Sequence, residues 1–145
     1  MWTKINTSED IAFLLEKVNY LVDSCVKEMR YISGSYSENG ETLCATNSKR
    51  DLYILFHSIS ENYKTLEIKF SGIRKLILEP YTDEKESVIY DTSLVKKDNL
   101  FYWFDYSEAD VSNFVPSGTV VVAEQISWRI IEDALGKEEF YLSKQ

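Results

Sequence analysis

The chain has 145 residues, of which 44% are hydrophobic, 14% aromatic and 28% charged. This composition is typical of a globular protein, so we expect residues 1–145 to form a single domain that needs no disulfide or metal to fold. The net charge of −8 disfavours binding to nucleic acid or to anionic membranes and favours a basic protein as a partner. An acidic surface that serves only solubility is the simpler interpretation.

The N-terminal segment predicts a helix over residues 8–20. Thr7 can cap the first turn, and the Asp10 carboxylate can accept a reciprocal hydrogen bond from the Thr7 backbone amide. The negative charge of Asp10 is also favourable at a helix N-terminus. Apolar residues then recur at helical spacing and form one stripe: Ile11, Leu14, Leu15 and Val18. We expect this stripe to pack on a sheet.

From residue 22 onward the hydrophobic period approaches two, which is typical of strands. Asn39-Gly40 and Asp98-Asn99 indicate hairpin turns, and Ser71-Gly72 indicates a turn or bulge. The predicted strands cover 22–32, 41–46, 52–59, 65–70, 73–78, 88–95, 100–106 and 119–131. In the last strand we expect one side to carry Val120, Val122, Ile126, Trp128 and Ile130. Residues from 133 onward are predicted to form a tail or a short helix.

These elements predict an α+β fold that is mainly antiparallel β. One N-terminal helix packs on a sandwich or a curved half-barrel of about seven or eight strands. No helical segments alternate with the strands, so a doubly wound α/β fold is disfavoured.

The cysteines and the N-terminus bear on localisation. Cys25 and Cys44 have neither CxxC spacing nor neighbouring histidines, so we expect free thiols in a reducing compartment. The first residues lack the apolar core of a signal peptide, and no apolar run approaches the roughly 20 residues of a membrane span. We therefore predict a cytoplasmic protein.

Residues that could carry chemistry are few. The only histidine, His57, could serve as a general base toward Cys25, but a packed structural imidazole suits its apolar strand better. One histidine and two isolated cysteines cannot form a zinc tetrad, and the sequence has no phosphate-binding loop and no nucleophile elbow. We predict no catalytic, cofactor or metal site, and a role other than catalysis is favoured.

One segment predicts a binding surface. Residues 101–106 contain five aromatic side chains, and acidic residues follow. Large rings supply affinity at protein interfaces, and carboxylates steer a basic partner. The predicted contact residues, here called the aromatic–acidic patch, are Tyr102, Trp103, Asp105, Tyr106, Glu108 and Asp110. The alternative is that both faces of this strand are buried and the acids form a solvated loop.

Three segments in order carry a resemblance: Asp23-Ser24-Cys25 leading to Ser33-Gly34, then Phe70-Ser71-Gly72-Ile73, then Ile126-Ser127-Trp128-Arg129. The layout resembles a family of small uncharacterised bacterial proteins in which a helix precedes a strand with an Asp-Ser-Cys motif. It is more distantly similar to β-rich immunity proteins of polymorphic-toxin systems. The resemblance implies a binding module rather than an enzyme, and it transfers no catalytic residues.

The leading hypothesis is therefore a non-enzymatic protein-binding module, in its sharpest form an immunity-type protein that neutralises a toxin. The alternative is a small-molecule-binding protein or an enzyme that uses a pocket in a curved sheet, with His57 among the polar groups. A third hypothesis is a structural subunit that dimerises through an exposed sheet edge. The sequence leaves the oligomeric state open.

Overall fold

A seven-stranded antiparallel sheet and one N-terminal helix dominate the computed structural model, which describes residues 1–46, 49–82, 86–112 and 118–142. The predicted α+β class is confirmed. The elements in chain order are β1 (Thr3–Ile5), α1 (Ser8–Lys17), a 3-10 turn (Asn19–Leu21), β2 (Ser24–Ile32), β3 (Tyr36–Ser37), β4 (Leu43–Cys44), β5 (Asp51–Ser58), β6 (Thr65–Ile77), β7 (Ser93–Lys97), β8 (Leu100–Phe104) and β9 (Val120–Ile131).

The main sheet has the strand order β2-β5-β6-β9-β8-β7. β6 and β9 pair along nearly their whole lengths and form the centre of the sheet. The opposite edge of β9 is shared, because β8 pairs with residues 120–123 and β1 pairs with residues 126–128. β3 and β4 form a separate hairpin around Asn39-Gly40, and Gly40 has a φ of +80°. This is the hairpin predicted from the Asn-Gly pair.

The sheet is strongly curved. The rings of Phe56 on β5 and Trp103 on β8 lie with their centroids 5.8 Å apart, although two strands separate β5 from β8. In a flat sheet, strands three positions apart lie roughly 14 Å apart, at about 4.8 Å per step. Of the two predicted architectures, the curved half-barrel therefore describes this sheet, and its concave face holds the main core.

Helix α1 closes the concave face. The predicted capping box is confirmed, because Thr7 accepts from the Asp10 backbone amide and the Asp10 side chain accepts from the Thr7 amide. The predicted stripe is also buried at Ile11, Leu14 and Val18. Among the described residues, no helix combines the length and the apolar character that a bilayer crossing demands.

The structure corrects several predicted boundaries. The two strands predicted at 65–70 and 73–78 are one strand, β6, with an irregularity between Ile73 and Lys75. Of the strand predicted at 88–95, only Ile89 forms a bridge before β7 begins at Ser93. The short strands β1 and β3 were not predicted, and the described residues beyond 133 form a tail, one of the two alternatives predicted for them.

The C-terminal segment, residues 134–142, packs on the convex face of the sheet. Glu28 on β2 accepts from the backbone amides of Phe140 and Tyr141. The Tyr141 hydroxyl donates to Glu67 on β6 over 2.9 Å. Burial, and then the Glu67 carboxylate, raise the pKa of the Tyr141 phenol well above its ordinary value, so it stays a donor at neutral pH.

Docking of this segment should weaken in acid. Desolvation works against the charged form of Glu28, but the amides of Phe140 and Tyr141, together with the Lys27 ammonium, hold its pKa below the ordinary 4.5. A lowered folded-state pKa contributes stability above the unfolded-state value, and this stability is lost as the pH falls through the folded-state value. We expect the Phe140 and Tyr141 amides to lose protection against hydrogen exchange, measured by NMR, as the pH is lowered below about 4.5.

The Glu28→Gln variant is the control for this prediction. This variant has no carboxyl group to titrate at position 28. Its Phe140 and Tyr141 amides should therefore be less protected at neutral pH, and their protection should not decrease further when the pH passes through the range in which Glu28 titrates. The same acid step in both proteins would contradict the assignment to Glu28.

Candidate functional site

The aromatic–acidic patch predicted from the sequence is divided between interior and surface. Trp103 is only 1% exposed and contacts Phe56 and Phe70 in the main core. Tyr102 and Tyr106 are half-buried and pack against a second apolar cluster around Phe104, Val120 and Val122. Trp103 is therefore not a surface residue. Of the predicted contact residues, only Glu108 and Asp110 are fully exposed, and their role in partner binding stays a prediction.

The carboxylate of Asp105 is hydrogen-bonded within its own chain. It accepts from the Thr119 amide over 3.0 Å and from the Tyr81 hydroxyl over 3.3 Å. Burial and then the neighbouring Asp105 charge raise the pKa of Tyr81 to about 12, which keeps this phenol protonated. These bonds join Asp105 to Thr119, the residue before β9, and to Tyr81. This carboxylate is therefore directed toward neighbouring backbone and side chains of its own chain.

A different surface has the geometry of a binding site. A cleft of about 550 Å³ lies where four separate parts of the chain meet, and we call it the Cys25 cleft. Its lining comes from the start of β2, the end of β5, the segment 86–90 and Leu135 of the C-terminal segment. Volumes of this size are typical of sites that hold a small ligand or an anchoring side chain.

Backbone hydrogen bonds hold the frame of the Cys25 cleft. The Asp23 amide donates to Ile89 O over 3.0 Å, and the Ile89 amide donates to Ser24 O over 2.7 Å. The Ile59 amide donates to Asp23 O over 3.3 Å. Ile89 itself is buried in the main core. Segment 86–90 is therefore anchored beside β2, and the cleft is preformed rather than a gap between mobile loops.

The rim of the Cys25 cleft exposes large apolar side chains. Ile59 is 79% exposed, Tyr90 70% and Leu135 61%. Adjacent apolar side chains left in water mark interaction sites more often than isolated ones do. The charged residues that line the cleft are both acidic, Asp23 and Glu86, and its described lining contains no lysine or arginine. An apolar group next to a positive charge is the chemistry that complements this surface.

Cys25 and His57 meet in this cleft, because they are direct partners in the β2–β5 ladder. Cross-strand partners project from the same face of a sheet. The His57 Nε2 lies 2.7 Å from Ala134 O, so this nitrogen carries the proton and donates. No hydrogen bond joins Cys25 to His57, both of which the structure describes. The imidazole thus holds the C-terminal segment in place, which agrees with the structural role favoured by the sequence.

The described residues contain no cluster of three or more side chains placed to hold a metal ion. Cys25 and Cys44 are both free thiols, each half-buried. The Cys25 cleft therefore offers an apolar surface, two carboxylates, one thiol and one imidazole already engaged through Nε2.

Sequence reasoning found Cys25 and His57 but missed the apolar rim. Ile59, Tyr90 and Leu135 lie in three segments that are far apart in the chain, and none belongs to a local motif. Only the three-dimensional structure brings them together.

Comparison with known proteins gives no match to any protein-family model, curated protein or solved structure.

The thiol of Cys25 provides a test of whether the cleft is catalytic. In a Cys44→Ser background, we expect the alkylation rate of Cys25 by iodoacetamide to change less than about twofold when His57 is replaced by Gln. The reason is that no hydrogen bond connects the two side chains, while Gln retains an amide donor for Ala134 O. Mass spectrometry of the modified peptide measures the rate. A loss of tenfold or more would instead identify His57 as an activating base.

Proposed function

We propose that this chain is a non-enzymatic protein-binding module that engages a basic partner protein through the Cys25 cleft. One observation carries the proposal: a preformed apolar cleft with exposed Ile59, Tyr90 and Leu135 has only carboxylates as charged groups in its described lining. The net charge of −8 also favours a basic partner, because it attracts a positively charged protein at long range.

The partner chemistry follows from this lining. An apolar side chain, such as Phe or Leu, would occupy the cleft and remove the exposed rim from water. Lysine or arginine residues beside it would pair with Asp23 and Glu86. Glu86 also accepts from the Tyr90 hydroxyl over 3.2 Å, so its carboxylate lies at the edge of the apolar rim.

The sharpest form of the proposal is neutralisation of a basic toxin, the role that the resemblance to immunity proteins implies. The proposal also places the protein in the cytoplasm of a bacterium. Two unpaired thiols, Cys25 and Cys44, favour a reducing compartment of this kind.

A second candidate function uses the same cleft for a small molecule. The volume of about 550 Å³ and the adjacent Cys25 and His57 favour it. The ligand would then be an apolar cation, since Asp23 and Glu86 are the charged groups that line the cleft. A small ligand alone does not require apolar side chains exposed around the rim, which is why the protein partner is preferred.

Three short peptides test the protein-binding proposal. We expect acetyl-Lys-Phe-Lys-amide to bind, and we expect acetyl-Glu-Phe-Glu-amide and acetyl-Lys-Ser-Lys-amide to bind at least about tenfold more weakly. The acidic peptide lacks charge complementarity, and the serine peptide lacks an apolar anchor. A ligand-detected NMR titration measures the three affinities. Equal binding of all three peptides would contradict the proposal.

Charge-neutralising variants locate the surface. Asp23→Asn combined with Glu86→Gln should weaken binding of the basic peptide by about three- to tenfold. Asn is chosen at position 23 because Asp23 has a φ of +60°, which Asn tolerates well. The matched control neutralises the other candidate surface through Glu108→Gln and Asp110→Asn, and it should leave the affinity unchanged. The reverse pattern would favour the aromatic–acidic patch.

A further inference from the structure

A second cleft, separate from the Cys25 cleft, lies on the convex face between β2 and the C-terminal segment. Its volume is about 520 Å³, and we call it the Arg30 cleft. The lining includes Lys27 and Arg30 from β2, together with Lys137, Tyr141 and Leu142. It thus combines cationic groups with apolar and aromatic surface.

Arg30 is the unusual residue of this cleft. Its guanidinium lies 5.1 Å from the centroid of the Tyr53 ring and 5.5 Å from that of the Tyr141 ring. Its Nε atom is buried and has no hydrogen-bond partner. A buried donor without an acceptor is costly, and a charged one more so. Contacts with ring faces stabilise the charge of a guanidinium but leave its N–H groups without acceptors.

Two nearby carboxylates, Glu28 and Glu67, are engaged elsewhere, and a third, Glu139, lines the cleft without pairing with Arg30. Glu28 accepts from the two backbone amides of the C-terminal segment and pairs with Lys27. Glu67 accepts from Arg129 through Nε and Nη2, and from the Tyr141 hydroxyl. No carboxylate in the described part of the chain forms an ion pair with Arg30. Arg30 therefore lines the cleft with a positive charge that no carboxylate of the described residues neutralises through an ion pair.

We propose that the Arg30 cleft binds the carboxylate of a small ligand with a flat apolar body. The fork of a guanidinium matches a carboxylate with two parallel hydrogen bonds. Tyr141, Met29 and Leu142 supply the apolar surface for the rest of the ligand. Lys137 adds a further positive charge at the exposed end, while Glu139 on the same rim opposes binding of an anion that lacks apolar contacts. This inference is independent of the proposed function of the Cys25 cleft.

Benzoate is the probe, and benzyl alcohol is its neutral counterpart. In the wild-type protein, benzoate should shift the Arg30 Nε–H resonance in a ¹H–¹⁵N spectrum, and benzyl alcohol should not. This readout depends on no variant and therefore on no change in folding. Inorganic phosphate at the same concentration should shift the resonance less than benzoate, because it has no apolar body.

Variants then assign the site. Arg30→Gln should weaken benzoate binding by about tenfold or more, whereas Lys137→Gln, at an exposed position, should weaken it by about threefold or less. Arg74→Gln is the matched control, since Arg74 is exposed and pairs with Glu124 on another part of the sheet. An unshifted Arg30 resonance at 10 mM benzoate (a concentration of the order expected for weak ligands) would overturn the proposal. So would equal binding by wild type and Arg30→Gln, or equal shifts with phosphate and benzoate.

Discussion

The buried carboxylate of Glu67 is the constraint on which the arrangement of the convex face depends. Glu67 lies on β6, is almost completely inaccessible to solvent, and bonds to Arg129 on β9 and to Tyr141 in the C-terminal segment. A carboxylate removed from water is tolerated only when its oxygens are satisfied. Loss of Arg129 would leave a buried charge without its counter-ion, whereas loss of Tyr141 would leave one buried carboxylate oxygen without its donor.

Docking of the C-terminal segment has consequences at two separate places. At one end of the segment, Ala134 accepts from His57, and Leu135 becomes part of the apolar rim of the Cys25 cleft. At the other end, Tyr141 covers the guanidinium of Arg30 and lines the second cleft. Both candidate sites thus use a segment that has no regular secondary structure of its own. The curved sheet supplies the rigid support, and the segment completes the surfaces.

Much of the fold could be predicted from local patterns. The capping box at Thr7 and Asp10 and the Asn39-Gly40 turn are local signals, and both are present in the structure. The side-chain alternation of β9 was not predictable. Val120 and Val122 were expected beside Ile126, yet they belong to a second cluster on the other face. The alternation changes between residues 123 and 126, next to the point where the register with β6 shifts, and it depends on pairing between distant segments.

The candidate sites were less predictable than the fold for the same physical reason. The sequence favoured the aromatic run at 101–106 because aromatic side chains are common at interfaces, but strand alternation buries that run in two separate clusters. The exposed rim of the Cys25 cleft instead combines single apolar residues from unrelated segments. No periodicity marks such residues, since each one is an isolated exposed apolar residue in its own segment. They form an apolar surface only because the fold brings them close together.

The most direct test of the central claim is a protein-detected ¹H–¹⁵N NMR titration of the wild-type chain with acetyl-Lys-Phe-Lys-amide. If the Cys25 cleft is the partner-binding surface, the largest amide shifts should map to residues 23–25, 57–59, 86–90 and 135. Shifts confined to residues 102–112, or the absence of any saturable shift, would contradict the account.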